Sequence, residues 1–150
     1  NVSSRGNSIE TDPSIIIPNK KDALIVDDNP FNLVVASFIV AKLGFQTFTA
    51  ANGSEAIHML QQSVESGQHY NFILMDIQMP IMDGIQATKA INQMIQKGEL
   101  YPVPVIALTA KKIDNREKRV YKECGMLEAL SKPLIEQELQ DILENLPDVK

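Results

Sequence analysis

The 150-residue sequence is 44% hydrophobic, enough for one domain with a sizeable core, and its net charge of −5 at pH 7 opposes nonspecific binding to nucleic-acid phosphates. The single cysteine, Cys124, excludes an internal disulfide and every multi-cysteine metal motif, and points to a reducing, cytoplasmic compartment. No apolar stretch approaches the roughly 20 residues that span a bilayer, and no charged-then-apolar signal segment opens the chain, so no membrane contact by this domain is expected.

Residues 1–22 are rich in Ser, Asn, Pro and charge and read as a flexible linker or flank. Ser14-Ile15-Ile16-Ile17 within them reads as a short added strand or as part of a mobile tail. From Ala23 onward strand and helix signals alternate, the pattern of a doubly wound α/β domain. Ala23-Leu24-Ile25-Val26 is the first strand. Asn29 then caps a helix whose first position is Pro30 and which stops at Gly44. The alternating Gln46-Thr47-Phe48-Thr49-Ala50 suits an edge strand. A second helix from about Ser54 to Gly67 places Ile57, Leu60 and Val64 on one face. Phe72-Ile73-Leu74-Met75 is a buried strand, and Asp83-Gly84 reads as the turn and N-cap of a third helix with Ala87, Ile91, Met94 and Ile95 inward. Val105-Ile106-Ala107-Leu108 is the next strand and Asp114 to Cys124 a charged fourth helix. Leu130-Ser131 ends the last strand, Pro133 breaks it, and a fifth helix buries Ile135, Leu139, Ile142, Leu143 and Leu146.

Strands this apolar are buried on both faces, so the polar residues at their ends converge on one edge of a parallel sheet. Those residues are Asp27, Asp28, Asp76, Thr109 and Lys132. Three carboxylates, a hydroxyl and an ammonium describe a site for a divalent cation and a phosphoryl group. Two unit charges about 4 Å apart interact by roughly 4 kcal/mol at an effective dielectric near 20, so clustered carboxylates repel an incoming phosphate until a cation joins them. All-oxygen ligation with retained water suits Mg²⁺ better than zinc or copper. Asp27, Asp28 and Asp76 would ligate it directly or through water, Asp76 would keep one oxygen as nucleophile, and Lys132 and Thr109 would each hold a phosphoryl oxygen. His58 and His69 lie away from this edge and read as surface or packing residues. The methionines Met75, Met79, Met82 and Met94 read as core and loop filler.

This set, together with the string Met75-Asp76-Ile77-Gln78-Met79-Pro80-Ile81-Met82-Asp83-Gly84, resembles the CheY-like receiver domains of two-component response regulators and hybrid histidine kinases. The resemblance covers Ala23 to about Leu146, with Asp27-Asp28, Asp76, Thr109-Ala110 and Lys132-Pro133 in the family's order and spacing. It implies a flavodoxin-like (βα)5 sandwich with strand order 2-1-3-4-5, a receiver at 23–147 and a tail at 148–150. It further implies phosphorylation of Asp76 by a phosphohistidine on a histidine kinase or histidine phosphotransfer partner. Mg²⁺ would be held by Asp28, Asp76 and the backbone carbonyl of Gln78, and a cis peptide would precede Pro133. Gln78 and Lys111, two places beyond Asp76 and Thr109, would modulate the phosphate lifetime. One departure stands out: family members commonly carry an aromatic residue in the last strand that rotates as the threonine moves, and this chain has Ala129 there.

The first helix is apolar on more than one side, with Phe31, Val34, Val35 and Phe38 opposite Leu33 and Val40. The excess either packs on the fifth helix or, as the resemblance implies, meets the phosphotransfer partner, with Leu33 expected as an exposed docking residue. Three rival readings are weaker. An aspartate-nucleophile phosphatase needs a second acid two residues after the nucleophile, where Gln78 stands. A nucleotide-binding domain needs G-x-x-x-x-G-K-[ST] or G-x-G-x-x-G, and neither is present. A docking-only pseudo-receiver would not need the complete polar set, although Ala129 keeps that reading open. With its polar flank the chain suits a hybrid kinase or a single-domain shuttle.

Overall fold

Three of the five strands are buried along their whole length, and that fixes the architecture. In the computed structural model, which describes residues 21–146, β1 (Asp22–Val26), β3 (Phe72–Asp76) and β4 (Val105–Thr109) form the centre of a parallel sheet. β2 (Gln46–Ala50) and β5 (Glu128–Ser131), the two strands with exposed residues, are its edges. The order is β2-β1-β3-β4-β5, with every neighbouring pair parallel. The Ser14 to Ile17 segment lies outside the described residues.

Five helices cover both faces, α1 (Pro30–Lys42), α2 (Gly53–Ser66), α3 (Gly84–Gln96), α4 (Asn115–Cys124) and α5 (Glu136–Glu144). Alternate strand residues point to opposite faces, and the two resulting cores have different owners. Leu24, Val26, Ile73, Met75, Val105 and Ala107 pack with Leu60 of α2, Ile91 of α3 and Tyr121 of α4. Ala23, Ile25, Phe72, Leu74, Ile106 and Leu108 pack with Ala36 and Val40 of α1 and Leu139 of α5. Cys124 is buried and free. No helix among the described residues is long and apolar enough to cross a membrane.

Helix boundaries follow local chemistry. Asn29 Oδ1 accepts from the Phe31 and Asn32 amides and Pro30 opens α1, while Gly44, just beyond it, has φ 99°. Asp83 and Gln86 form a reciprocal capping box at α3, the expected N-cap.

Four expectations need correction. Leu33 is packed into the core beside Ala36 and Val40, because small Ala36 lets α1 approach the sheet on that face; Phe31, Val34, Val35 and Phe38 are the exposed set. On α2 the inward face is Gly53, Ala56, Leu60 and Ser63, leaving Val64 exposed; Ser63 turns in because its hydroxyl meets Tyr101 at 2.8 Å. α5 starts only at Glu136, so Ile135 is the extended cap residue and is about half exposed. Finally, Asp22 is a buried strand residue of β1, held by Asn71 and Gln68.

Candidate functional site

The five polar residues singled out by sequence stand at the C-terminal ends of β1, β3, β4 and β5. Asp76 is the last residue of β3 and Thr109 the last of β4, and Asp76 pairs in register with Leu108. Asp27 and Asp28 follow β1 directly, and the Asp27 amide bonds the Ala50 carbonyl at 3.1 Å, extending the ladder by one step. Lys132 follows β5, its amide donating to the Thr109 carbonyl at 2.8 Å, and a cis peptide joins it to Pro133.

Parallel register thus brings together side chains distant in sequence. Carboxylate oxygens of Asp27, Asp28 and Asp76 all lie within 4.8 Å of one another. The Lys132 ammonium bridges two of them, 3.2 Å from Asp27 Oδ2 and 3.1 Å from Asp76 Oδ1. Asp27 is fixed from its other oxygen, which accepts from the Asn29 amide at 2.9 Å and from Asn32 Nδ2 at 3.5 Å. Asp27 and Asp76 are buried, whereas Asp28 faces solvent. Thr109 is buried, and its Oγ1 accepts from the Lys111 amide at 3.0 Å.

One ammonium does not balance three carboxylates. Burial pushes the Asp76 carboxyl up to about 6, against the hydrogen bond from Lys132 and with help from the neighbouring Asp27 charge. Burial acts to lower the Lys132 ammonium, yet Asp76 and Asp27 outweigh it and hold Lys132 above its ordinary value. Both partners of the ion pair therefore titrate high: for the lysine two anions prevail over burial, for the aspartate burial prevails over one cation.

The site fits a hard dication. Its donors are oxygens from three carboxylates, and the buried Asp27 Oδ2 receives no hydrogen bond despite its contact with the Lys132 charge. Gln78 lies two residues past Asp76 on an exposed loop, and its neighbours there, Ile77, Met79, Pro80, Asp83 and Lys111, line a shallow depression with it.

Sequence reasoning missed two features. Gly84, read only as part of a turn, presses against the Asp76 backbone, and a Cβ there would collide with the Asp76 carbonyl oxygen. No pattern in the sequence signals that contact, since it joins residues eight apart through the fold. Ile81, on the same loop, has φ 72° and is 82% exposed, a conformation that β-branched residues rarely adopt. His58 is exposed and His69 stacks on Tyr101 with centroids 4.1 Å apart, so neither belongs to the site.

Comparison with known proteins agrees with this geometry. The family model described as the response regulator receiver domain matches residues 23–144. Sensor histidine kinase GacS of Pseudomonas protegens is 36% identical over 120 residues, 80% of this chain and 12% of that protein. The chain spans 8 to 13% of the length of this and similar kinases. Among solved structures, the receiver domain of histidine kinase CKI1 from Arabidopsis thaliana complexed with Mg²⁺ superposes with a TM-score of 0.72 at 29% identity, covering 83% of this chain and 90% of that one. The receiver domain of Ssk1, co-crystallised with the Saccharomyces cerevisiae histidine phosphotransfer protein Ypd1, is represented by a match with a TM-score of 0.70 at 27% identity, covering 83% of this chain and 86% of that one. With its strand order, its converging acidic edge and these relatives, the chain belongs to the receiver domains of two-component signalling systems, and its kinase relatives carry such a domain within much longer chains.

Proposed function

We propose that this chain is a phosphoacceptor that takes a phosphoryl group from a phosphohistidine onto Asp76, with Mg²⁺, and relays the signal to a partner. The observation that carries the reading is the Lys132 ammonium held between buried Asp27 and Asp76 with Asp28 alongside. Residues 22–147 form the receiver within this reading, beginning with the β1 residue Asp22 and flanked by a linker before it and a tail at 148–150, on the cytoplasmic side of a hybrid histidine kinase.

An Asp76 oxygen attacks the phosphorus, the O–P bond forms as the N–P bond breaks, and the imidazole nitrogen leaves with the electron pair. Lys132 then exchanges its bond to Asp76 for one to a phosphoryl oxygen while keeping Asp27, and the Thr109 hydroxyl donates to another. Asp27, Asp28, Asp76 and the Gln78 carbonyl would hold the cation. When bound, Mg²⁺ cancels the repulsion between this acidic cluster and the incoming phosphate.

Docking belongs on α1. Phe31, Val34 and Phe38 are about 70% exposed, an apolar stripe beside the site. A cavity of about 350 Å³, lined by Phe31, Asn32, Val35, Leu108, Lys132 and Pro133, connects this stripe to Lys132. The stripe fits the apolar face of a helical phosphotransfer partner, the kind of protein with which the Ssk1 receiver was crystallised.

One experiment with two donors tests both parts. Incubated with acetyl phosphate and Mg²⁺, the protein gains one phosphoryl adduct by intact mass, which Asp76→Asn and metal removal abolish. Val34→Asp keeps that adduct but slows transfer from a phosphorylated histidine phosphotransfer protein at least tenfold. An unmodified wild type rejects the acceptor assignment, and equal loss with both donors rejects α1 as the docking surface.

A further inference from the structure

Tyr121 lies on the inner side of α4, 2% exposed, and its phenolic oxygen makes no hydrogen bond. Burying a hydroxyl without a partner is costly, and phenylalanine would fill the same space without that cost. The polar groups beside the oxygen are the Thr109 hydroxyl and the Glu117 carboxylate, neither in hydrogen-bonding geometry, and Glu117 is the competing acceptor for the phenolic proton. Burial pushes the phenol up, so it remains a proton donor at neutral pH.

Thr109 has an unused place for such a donor. A hydroxyl offers one proton and two lone pairs. The Lys111 amide occupies one lone pair of Thr109 at 3.0 Å. A donor on the second leaves the proton of Thr109 free to point away from both, toward Asp76 on the neighbouring strand. The Tyr121 ring also has room to shift. On the β5 side the small side chain of Ala129 leaves a cavity of about 220 Å³, lined also by Lys118, Met126 and Glu128, several times the roughly 30 Å³ share of one water.

We propose that Tyr121 is a positioning residue for Thr109: its hydroxyl donates to Thr109 Oγ1 once Asp76 carries a phosphoryl group, aiming the threonine proton at a phosphoryl oxygen and coupling α4 to the site. The inference stands on the phosphoacceptor reading above. It assigns to α4 a direct contact with the reaction, at a place where β5 contributes only Ala129.

Fluorine NMR of the full chain labelled with 3-fluorotyrosine tests it, with beryllofluoride and Mg²⁺ as the phosphoryl mimic. The chain has three tyrosines, and Tyr70 and Tyr101 sit at the opposite edge of the sheet, where they serve as internal controls. The Tyr121 signal, assigned by its loss in Tyr121→Phe, shifts when the mimic binds, while the other two stay in place. Tyr121→Phe also slows phosphorylation by acetyl phosphate about threefold to tenfold, with unchanged Mg²⁺ affinity and a melting temperature no lower than wild type. A stationary Tyr121 signal in protein that has bound the mimic, or a wild-type rate in Tyr121→Phe, overturns the inference alone. Failure of wild type to bind the mimic or to accept phosphate overturns the phosphoacceptor reading and this inference with it.

Discussion

The two edges of this sheet use the same strands and treat polar groups in opposite ways. At the N-terminal edge a single buried carboxylate and its polar neighbours are mostly met by neutral partners: Asn71 accepts from the Asp22 amide at 2.8 Å, Gln68 donates to Asp22 Oδ2 at 3.2 Å, leaving only Asp22 Oδ1 without a partner, and the Tyr101 hydroxyl meets Ser63 Oγ at 2.8 Å and the Tyr70 amide at 3.1 Å. At the C-terminal edge three carboxylates share one ammonium, and Asp76 is pushed up to about 6. One edge is built for stability, the other stores repulsion that a bound cation would relieve. Substitutions at the first edge should therefore cost stability and spare phosphorylation, backbone crowding at the second should cost both, and charge changes there should separate the two.

The largest effect is expected where the site's backbone is most crowded. Gly84→Ala drives a methyl group into the Asp76 carbonyl, and neither the last residue of β3 nor the first turn of α3 has slack, because the Gly84 amide bonds the Ile77 carbonyl at 2.9 Å. A loss of about 3 kcal/mol in urea unfolding is expected, with impaired phosphorylation of whatever remains folded. A loss under 1 kcal/mol would show that this edge tolerates backbone displacement.

Asp76→Asn breaks the comparison from the other direction, since it should stabilise the metal-free protein while abolishing phosphorylation. The Asp76 pKa is raised in the fold, so the native state binds more protons than the unfolded state between the ordinary carboxylate value and about 6. Wild-type stability accordingly increases as pH falls from above 6 toward 4, and the penalty is complete above 6. Asparagine removes that slope and gains about 1 to 3 kcal/mol at pH 7, less the lost bond to Lys132, which keeps Asp27. Urea titrations in EDTA at pH 4.5 and 7 measure both quantities. A wild type no more stable at the lower pH would mean that Lys132 already balances the cluster.

The acidic edge was legible in the sequence because buried parallel strands leave so few polar residues that each strand-end residue stands out: Asp27, Asp76, Thr109 and Lys132 close apolar runs, and register does the rest. The orientation of α1 was not legible. Its residues are apolar all round, so periodicity could not separate Leu33, which packs inward, from Val34, which faces solvent; Ala36 decided the matter by allowing close approach. Tyr121, Gly84 and the N-terminal hydrogen-bond cluster share another obstacle. Each depends on neighbours across elements, Gly84 on the Asp76 backbone and Tyr101 on Ser63, for which local sequence carries no period. The acidic edge was easier to read than the packing, since charge at a strand end is rare and apolar side chains are everywhere.

Tyr101→Phe is the smallest of these effects and the control for the whole contrast. Phenylalanine preserves the stacking on His69 but removes the hydroxyl that serves both Ser63 and the Tyr70 amide. Ser63 still bonds the Leu60 carbonyl at 2.6 Å, so the uncompensated loss falls mainly on the Tyr70 amide. About 1 to 1.5 kcal/mol of stability should go, equally at pH 4.5 and 7 because no charge is involved, with the rate and extent of Asp76 phosphorylation unchanged. A pH-dependent loss, or an altered phosphorylation rate in protein of normal fold, would mean that the two edges communicate along the strands and that the division between them is not real.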